Sequence, residues 1–303
     1  MDRKQYYKVA EHCFCLQLSE NSPLWKRLEN YAPFAIEEPE PNKMAFTLRV
    51  TEDTIPVKNP TDRCIGEFDC DAAYLKLFEL ADGEKLFLIS QRSQQECSHL
   101  QTDPDYRNAS LCFSDNIPNG LRIFAVNNAI MLLYAFTTAT HNTLLIHASV
   151  IVNEEKGYVF LGKSGTGKST HSQLWLKYIP DSYLLNDDNP VIQITQEGIY
   201  VYGSPWSGKT PCYRNEKAIL GGIVRLSQAP QNQITPLKRV MAYAAVTPSV
   251  SVMRWERAMA DGIHNTLSDL ITHTPVYHLQ CLPDEAAAHL CATTLRKKNL
   301  CND

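Results

Sequence analysis

One run of nine residues, Gly162-Lys163-Ser164-Gly165-Thr166-Gly167-Lys168-Ser169-Thr170, constrains this chain more than any other stretch. It fits G-x-x-x-x-G-K-[ST], in which glycines let backbone N–H groups close around phosphate oxygens. Such a bend needs a strand before it and a helix after it. Gly157-Tyr158-Val159-Phe160-Leu161 has the length and composition of a strand. Thr170 to Tyr178 carries Leu174, Trp175, Leu176 and Tyr178 and stops at Pro180, as a helix would. The helix N-terminus adds partial positive charge. In this setting Lys168 is expected to reach the terminal phosphates of a nucleotide, and the Ser169 hydroxyl to ligate Mg²⁺.

The second half of such a site follows one helix later. Ser182-Tyr183-Leu184-Leu185-Asn186-Asp187-Asp188-Asn189-Pro190 reads as a short apolar strand ending in two acids. One carboxylate can share the Mg²⁺ with Ser169, and the other can point at an acceptor hydroxyl. An Asn-Asp-Asp-Asn-Pro run also suits an Asx-rich turn. Lys209, in the Gly203 to Thr210 loop, is either a further cation over the site or a solvated lysine. His147 lies in the β-rich run Thr143 to Val152, ahead of the loop strand. It is read either as a core histidine or as a neighbour of the γ-phosphate.

Composition narrows the class. A net charge of −4 gives no general pull toward nucleic acid or an anionic membrane. The apolar stretch around Ala129 to Ala139 reads as a core helix too short to span a bilayer. Met1 to Gln5 leads into no apolar run of signal-peptide type. The ten cysteines include no C-x-x-C pair, which points to reduced thiols in a cytoplasmic protein.

Residues 1–117 read as a strand-rich region without a catalytic constellation. Strands are expected at Tyr6 to Leu18, Met44 to Val50, Leu75 to Leu80 and Lys85 to Ser90, with a short helix at Leu24 to Tyr31. Glu37 to Pro41 and Thr54 to Thr61 read as loops. Residues 118–303 form the nucleotide-binding region. Asn119 to about Thr140 repeats apolar residues at helical spacing. The turn Asn153 to Gly157 sets an antiparallel pair of strands, and Val191 to Gly203 a hairpin. Ala218 to Leu226 and Pro275 to Cys281 read as strands, Ala229 to Thr235 as a loop, and Met253 to Ile271 and Asp284 to Lys298 as helices.

Taken together, His147, the short turn to Gly157, the loop Gly162 to Thr170 and Asp187-Asp188 resemble the kinase domain of HPr kinase/phosphorylase. That family shares its nucleotide-binding core with phosphoenolpyruvate carboxykinases. The resemblance is clearest over His147 to Pro205. It implies an α/β P-loop kinase core with a mixed sheet, preceded by a strand-rich α+β region. It also implies ATP as donor, Asp187 as general base, Asp188 as Mg²⁺ ligand with Ser169, His147 beside the transferring phosphoryl group, and a homo-oligomer. Glu216 to Gly222 is only a loose echo of the family's carrier-binding signature. The acceptor is therefore left as a protein serine or a small hydroxylated molecule. The competing expectation is a non-catalytic ATP sensor. A carboxykinase-like lyase fits less well, because the arginines do not cluster near the loop in sequence.

Overall fold

Strands dominate the chain. The computed structural model describes residues 1–51, 63–70, 73–80, 83–91, 98–208, 210–251 and 255–299. The Thr54 to Thr61 loop reading and the predicted helix start at Met253 lie outside them. Two units, Met1–Thr138 and Ala139–Asp303, each close on a core of their own. The sequence boundary at 117/118 falls ahead of the helix that completes the first unit.

The first unit holds β1 (Asp2–Val9), β2 (His12–Ser19), β3 (Ala35–Ile36), β4 (Met44–Val50), β5 (Arg63–Cys70), β6 (Ala73–Glu79), β7 (Lys85–Gln91), β8 (Ser98–Thr102) and β9 (Asn108–Phe113). They form one sheet in the order β3-β1-β2-β4-β9-β8-β7-β6-β5. The predicted single strand Tyr6 to Leu18 is a hairpin, turned at Ala10 with φ +50°. Helix α1 (Asn119–Thr138) lies against β4, β7, β8 and β9. Its Tyr134 hydroxyl donates to the Val9 carbonyl at 3.0 Å. α1 follows the predicted helix from Asn119, and at 20 residues it is long and apolar enough, by length and composition, to cross a membrane, which corrects only the reading of Ala129 to Ala139 as too short. In the fold, Val126, Ala129, Ile130 and Leu133 of α1 are fully buried.

The second unit contains β10 (Thr143–Leu145), β11 (Ser149–Asn153), β12 (Lys156–Leu161), α2 (Lys168–Tyr178), β13 (Tyr183–Asn186), β14 (Val191–Thr195), β15 (Gly198–Tyr202), β16 (Lys217–Gln228), β17 (Gln233–Pro236), α3 (Arg239–Val246), α4 (Arg257–His273), β18 (Val276–Cys281) and α5 (Glu285–Asn299). The sheet order is β10-β14-β15-β16-β12-β11-β13, with β18 on the far half of β16 and β17 beyond it. Alternation sorts the side chains. Val150, Val159, Leu220 and Ile223 join α3 and α4 in one core, whereas Ile151, Phe160, Val224 and Leu279 join α2 and α5 in the other. The Asp284 carboxylate caps α5 by accepting from Ala287 N at 2.9 Å.

This architecture corrects the expected fold class. The described residues are mostly β, with two mixed sheets of nine strands each and few helices, rather than an α/β P-loop kinase core. The reason lies in the short connections. A parallel α/β core needs a crossover helix between successive strands. Here two-residue turns join β11 to β12 and β14 to β15 as antiparallel hairpins, in line with the sequence reading of these two turns. In the second sheet only β12/β16 and β16/β18 run parallel.

The second sheet also curls back on itself. β10 and β11 are separated by three residues yet stand far apart in the strand order. The stretch 143–153 runs antiparallel to 183–195, first as β11 with β13 and then as β10 with β14. Between those ladders the backbone pairing continues irregularly, with Ala148 N donating to Asp188 O at 2.8 Å and Ile146 N to Pro190 O at 3.2 Å. His147 and Asp188 therefore face one another at the crossing.

Candidate functional site

The phosphate-loop run begins where the buried strand β12 ends. Gly165 has φ +80° and Gly167 φ +110°, so both occupy the left-handed region that glycine enters without strain. Thr166 N donates to Lys163 O at 3.0 Å, which closes the turn. Lys163, Ser164 and Gly165 stand exposed at its crest. Gly167 caps α2, and the helix buries Lys168, His171, Ser172 and Trp175 on one face. Those positions are spaced three and four apart, as one helical stripe requires.

Beneath the bend, the His171 ring packs edge-on to Phe160, with centroids 4.8 Å apart. Its Nε2 accepts from Trp175 Nε1 at 3.1 Å. The proton of the neutral ring is then on Nδ1, which has no hydrogen-bond partner. Burial holds the pKa of this imidazole down at about 4.

Lys168 turns inward. Its ammonium donates to Gly162 O at 2.9 Å and lies 2.9 Å from His147 Nε2. An ammonium has only donors, so Nε2 accepts and Nδ1 carries the proton. Nδ1 lies 3.1 Å from Asp188 Oδ1. The second Asp188 oxygen accepts from Asn189 Nδ2 at 2.7 Å. Lys168, His147 and Asp188 thus form one hydrogen-bonded line from the glycine bend to the acid pair.

Asp187 points the other way, into the protein, and is 4 % exposed. Its Oδ1 accepts from Ser149 Oγ at 3.1 Å, and Ser149 Oγ lies 2.6 Å from Ser172 Oγ. Its Oδ2 accepts from Thr210 N at 3.3 Å. The segment after β15 is fastened over this pair. The Ser204 hydroxyl donates to Asn189 O at 2.6 Å and receives Asn186 Nδ2 at 3.1 Å and Trp206 N at 3.2 Å. A Cβ on Gly208 would come within 3.3 Å of both Asp187 O and Asp188 Cβ, a close approach that a side chain could make only by pushing them aside by a few tenths of an ångström. Ser207 Oγ holds the turn by donating to Thr210 O at 2.6 Å. Burial pushes the nearby Cys212 thiol up.

Of the residues singled out in sequence, Lys168, His147 and Asp188 are brought together directly. Asp187 is tied to the same helix through Ser149 and Ser172. His147 lies in the break between β10 and β11, not within a strand. Lys209 lies outside the described residues. Ser149 and Ser172 were missed, although spacing marks them. Ser149 is two residues beyond His147 on a β-rich run, and Ser172 is four beyond Lys168 on a helix.

Ser169 and Asp188 are the groups that sequence assigns to Mg²⁺. Among the described residues there is no cluster of three or more His, Cys, Asp or Glu side chains that could hold a metal. A Mg²⁺ carried by a nucleotide takes most of its six oxygens from phosphate and water, with one or two protein groups sufficing. A half-exposed carboxylate beside the bend and a hydroxyl on the first turn of α2 fit that smaller part.

Comparison with known families turns on residues 111–282, which match the family model described as SynChlorMet cassette protein ScmC. The chain belongs to that family. The match covers more than half of the 303 residues and contains the glycine bend, His147, Asp187, Asp188 and the strap over them. ScmC as a description states no reaction. No curated protein matches the chain.

Proposed function

We propose that this ScmC-family chain is an ATP-dependent phosphotransferase that moves the γ-phosphoryl group to a hydroxyl acceptor, a protein serine or a small molecule. The observation that supports it is the hydrogen-bonded line Lys168–His147–Asp188, with Asp187 beside it. Phosphoryl transfer needs positioning and charge neutralisation more than covalent help. The loop amides and the N-terminus of α2 offer partial positive charge to phosphate oxygens. Lys168 exchanges its Gly162 contact for a phosphate oxygen, and His147 keeps the ammonium aligned. Mg²⁺, held by Ser169 and Asp188, would supply neutralisation of the phosphate charge. Asp187 takes the acceptor's proton.

The likeness of His147, Gly162–Thr170 and Asp187-Asp188 to HPr kinase/phosphorylase supports the same chemistry without fixing the acceptor. A cytoplasmic location and a homo-oligomeric assembly belong to this reading. No role for nucleic acid or membrane enters it.

A second reading, a non-catalytic ATP sensor, is favoured by one feature. Both Asp187 oxygens are bonded within the protein, and the group is almost wholly buried. The deciding experiment offers Mg-ATP to the full chain with water, serine peptides and small alcohols as acceptors. The phosphotransferase reading expects turnover in the native chain and an Asp187→Asn variant that binds ATP normally but loses about 10³-fold in rate. Binding without turnover in the native chain, with a harmless D187N, would establish the sensor instead.

A further inference from the structure

Ser149 and Ser172 are both 0 % exposed, and neither figures in the chemistry just described. Two buried hydroxyls 2.6 Å apart beside a buried carboxylate have little freedom in how they share protons. A carboxylate only accepts. Ser149 therefore gives its single proton to Asp187 Oδ1 at 3.1 Å, and the Ser172 proton goes to Ser149. The order Ser172 to Ser149 to Asp187 is directional. It fastens the carboxylate to the face of α2 that also carries Lys168, since Lys168 and Ser172 lie four residues apart on one buried stripe.

We infer that Ser149 is a positioning residue for the acceptor's general base, with Ser172 acting through it. This rests on the phosphotransferase reading above. Each Asp187 oxygen accepts one bond within the protein, Oδ1 from Ser149 and Oδ2 from Thr210 N, and each keeps a lone pair with which the carboxylate takes the acceptor proton. The acceptor oxygen then forms its bond to phosphorus as the bond to the ADP oxygen breaks. Because both the base and Lys168 are tied to α2, the helix sets their separation together with the Thr210 and Gly162 contacts. Ser149 can do this because β11 alternates. Ile151, two residues on, packs into the same core as Trp175 of α2.

The test uses the full chain with Ser149→Ala, Ser172→Ala and the double variant. Three quantities are measured: Kd for Mg-ATP by calorimetry, turnover of Mg-ATP with the acceptor panel above, and melting temperature. The expected result for S149A is a Kd within about twofold of native and a kcat about tenfold lower. S172A loses less, and the double variant loses no more than S149A, because Ser172 has no other route to Asp187. Should S149A fail to fold, Ser149→Cys keeps the size with a weaker donor and takes its place. A native kcat in S149A, an ATP affinity lost together with turnover, or fully additive losses would each overturn the assignment and leave the phosphotransferase reading standing. A native chain that binds Mg-ATP and turns over none of it removes both.

Discussion

The Lys168 ammonium sits 2.9 Å from His147 Nε2 and 2.9 Å from the Gly162 carbonyl, joining the start of α2 to the crossing of the curled sheet. A buried cation with such partners is a tether as well as a phosphate ligand. Lys168→Ala is expected to weaken Mg-ATP binding about 100-fold, in the range of lost charge-assisted contacts. It is also expected to cost about 1–2 kcal/mol of stability, because the carbonyl and the ring nitrogen lose a donor. Calorimetric titration and a denaturation curve read the two effects separately. Native affinity in the variant would remove the bend from nucleotide binding.

Ser204 is the knot of the strap over the acid pair. It is fully buried and accepts from two donors while giving its proton to Asn189 O. Ser204→Ala removes these three hydrogen bonds, Asn186 Nδ2 keeping its contacts to Ser204 O at 3.4 Å and Trp206 O at 3.2 Å, a loss of about 2 kcal/mol. Urea unfolding measures it. A midpoint unchanged from native would show that water replaces the hydroxyl.

His171 makes stability depend on pH in a defined window. Its ring is held near 4 in the fold against 6.5 when free. As pH falls, the unfolded chain takes the proton first, so stability is full above about pH 6.5 and declines toward pH 4, by up to about 3 kcal/mol. Denaturant unfolding at pH 7.5 and 4.5, in the native chain and in His171→Gln, isolates this part from other titrations. The variant is expected to lose less between the two values. Identical losses would mean that the ring does not titrate with unfolding.

The β11–β12 turn carries avoidable strain. Glu154 and Glu155 have φ +50° and +62°, a pair of left-handed residues where Asn-Gly is the usual choice. Glu154 also meets Arg296 at 3.2 Å. Glu155→Gly relieves the second residue and leaves that pair intact. The expected gain is about 0.5–1 kcal/mol, net of the added freedom of the unfolded chain. A lower denaturation midpoint in E155G would contradict it.

The glycine pattern and its flanks located β12, the bend and α2, because phosphate-loop backbone chemistry leaves few alternatives in sequence. Asp187 and Asp188 were found by their distance from it. The fold class went astray for a different reason: the α/β core was implied by the family resemblance, whereas the antiparallel pairs at Asn153 to Gly157 and Val191 to Gly203, legible from their short turns, belong to a sheet with few helices. Strands β8 and β9 were read through as a region of scattered acids around Asp103 and Asp105. Asp103 in fact folds the intervening turn by accepting from Arg107 N and Asn108 N. Helix α3 carries exposed Val240 and Met241, so its apolar residues do not trace one clean stripe. Ser149 shares a strand face with His147 by spacing alone, and that spacing gains meaning only once Ser172 on α2 is known to be its partner.

The three residues that link β10 to β11 have a length that cannot drift by one. Ser149 and Ile151 look toward α2 only because Ile146, His147 and Ala148 deliver β11 in that phase. Removing or adding a single residue there would rotate the serine into the opposite core and present Val150 to the helix.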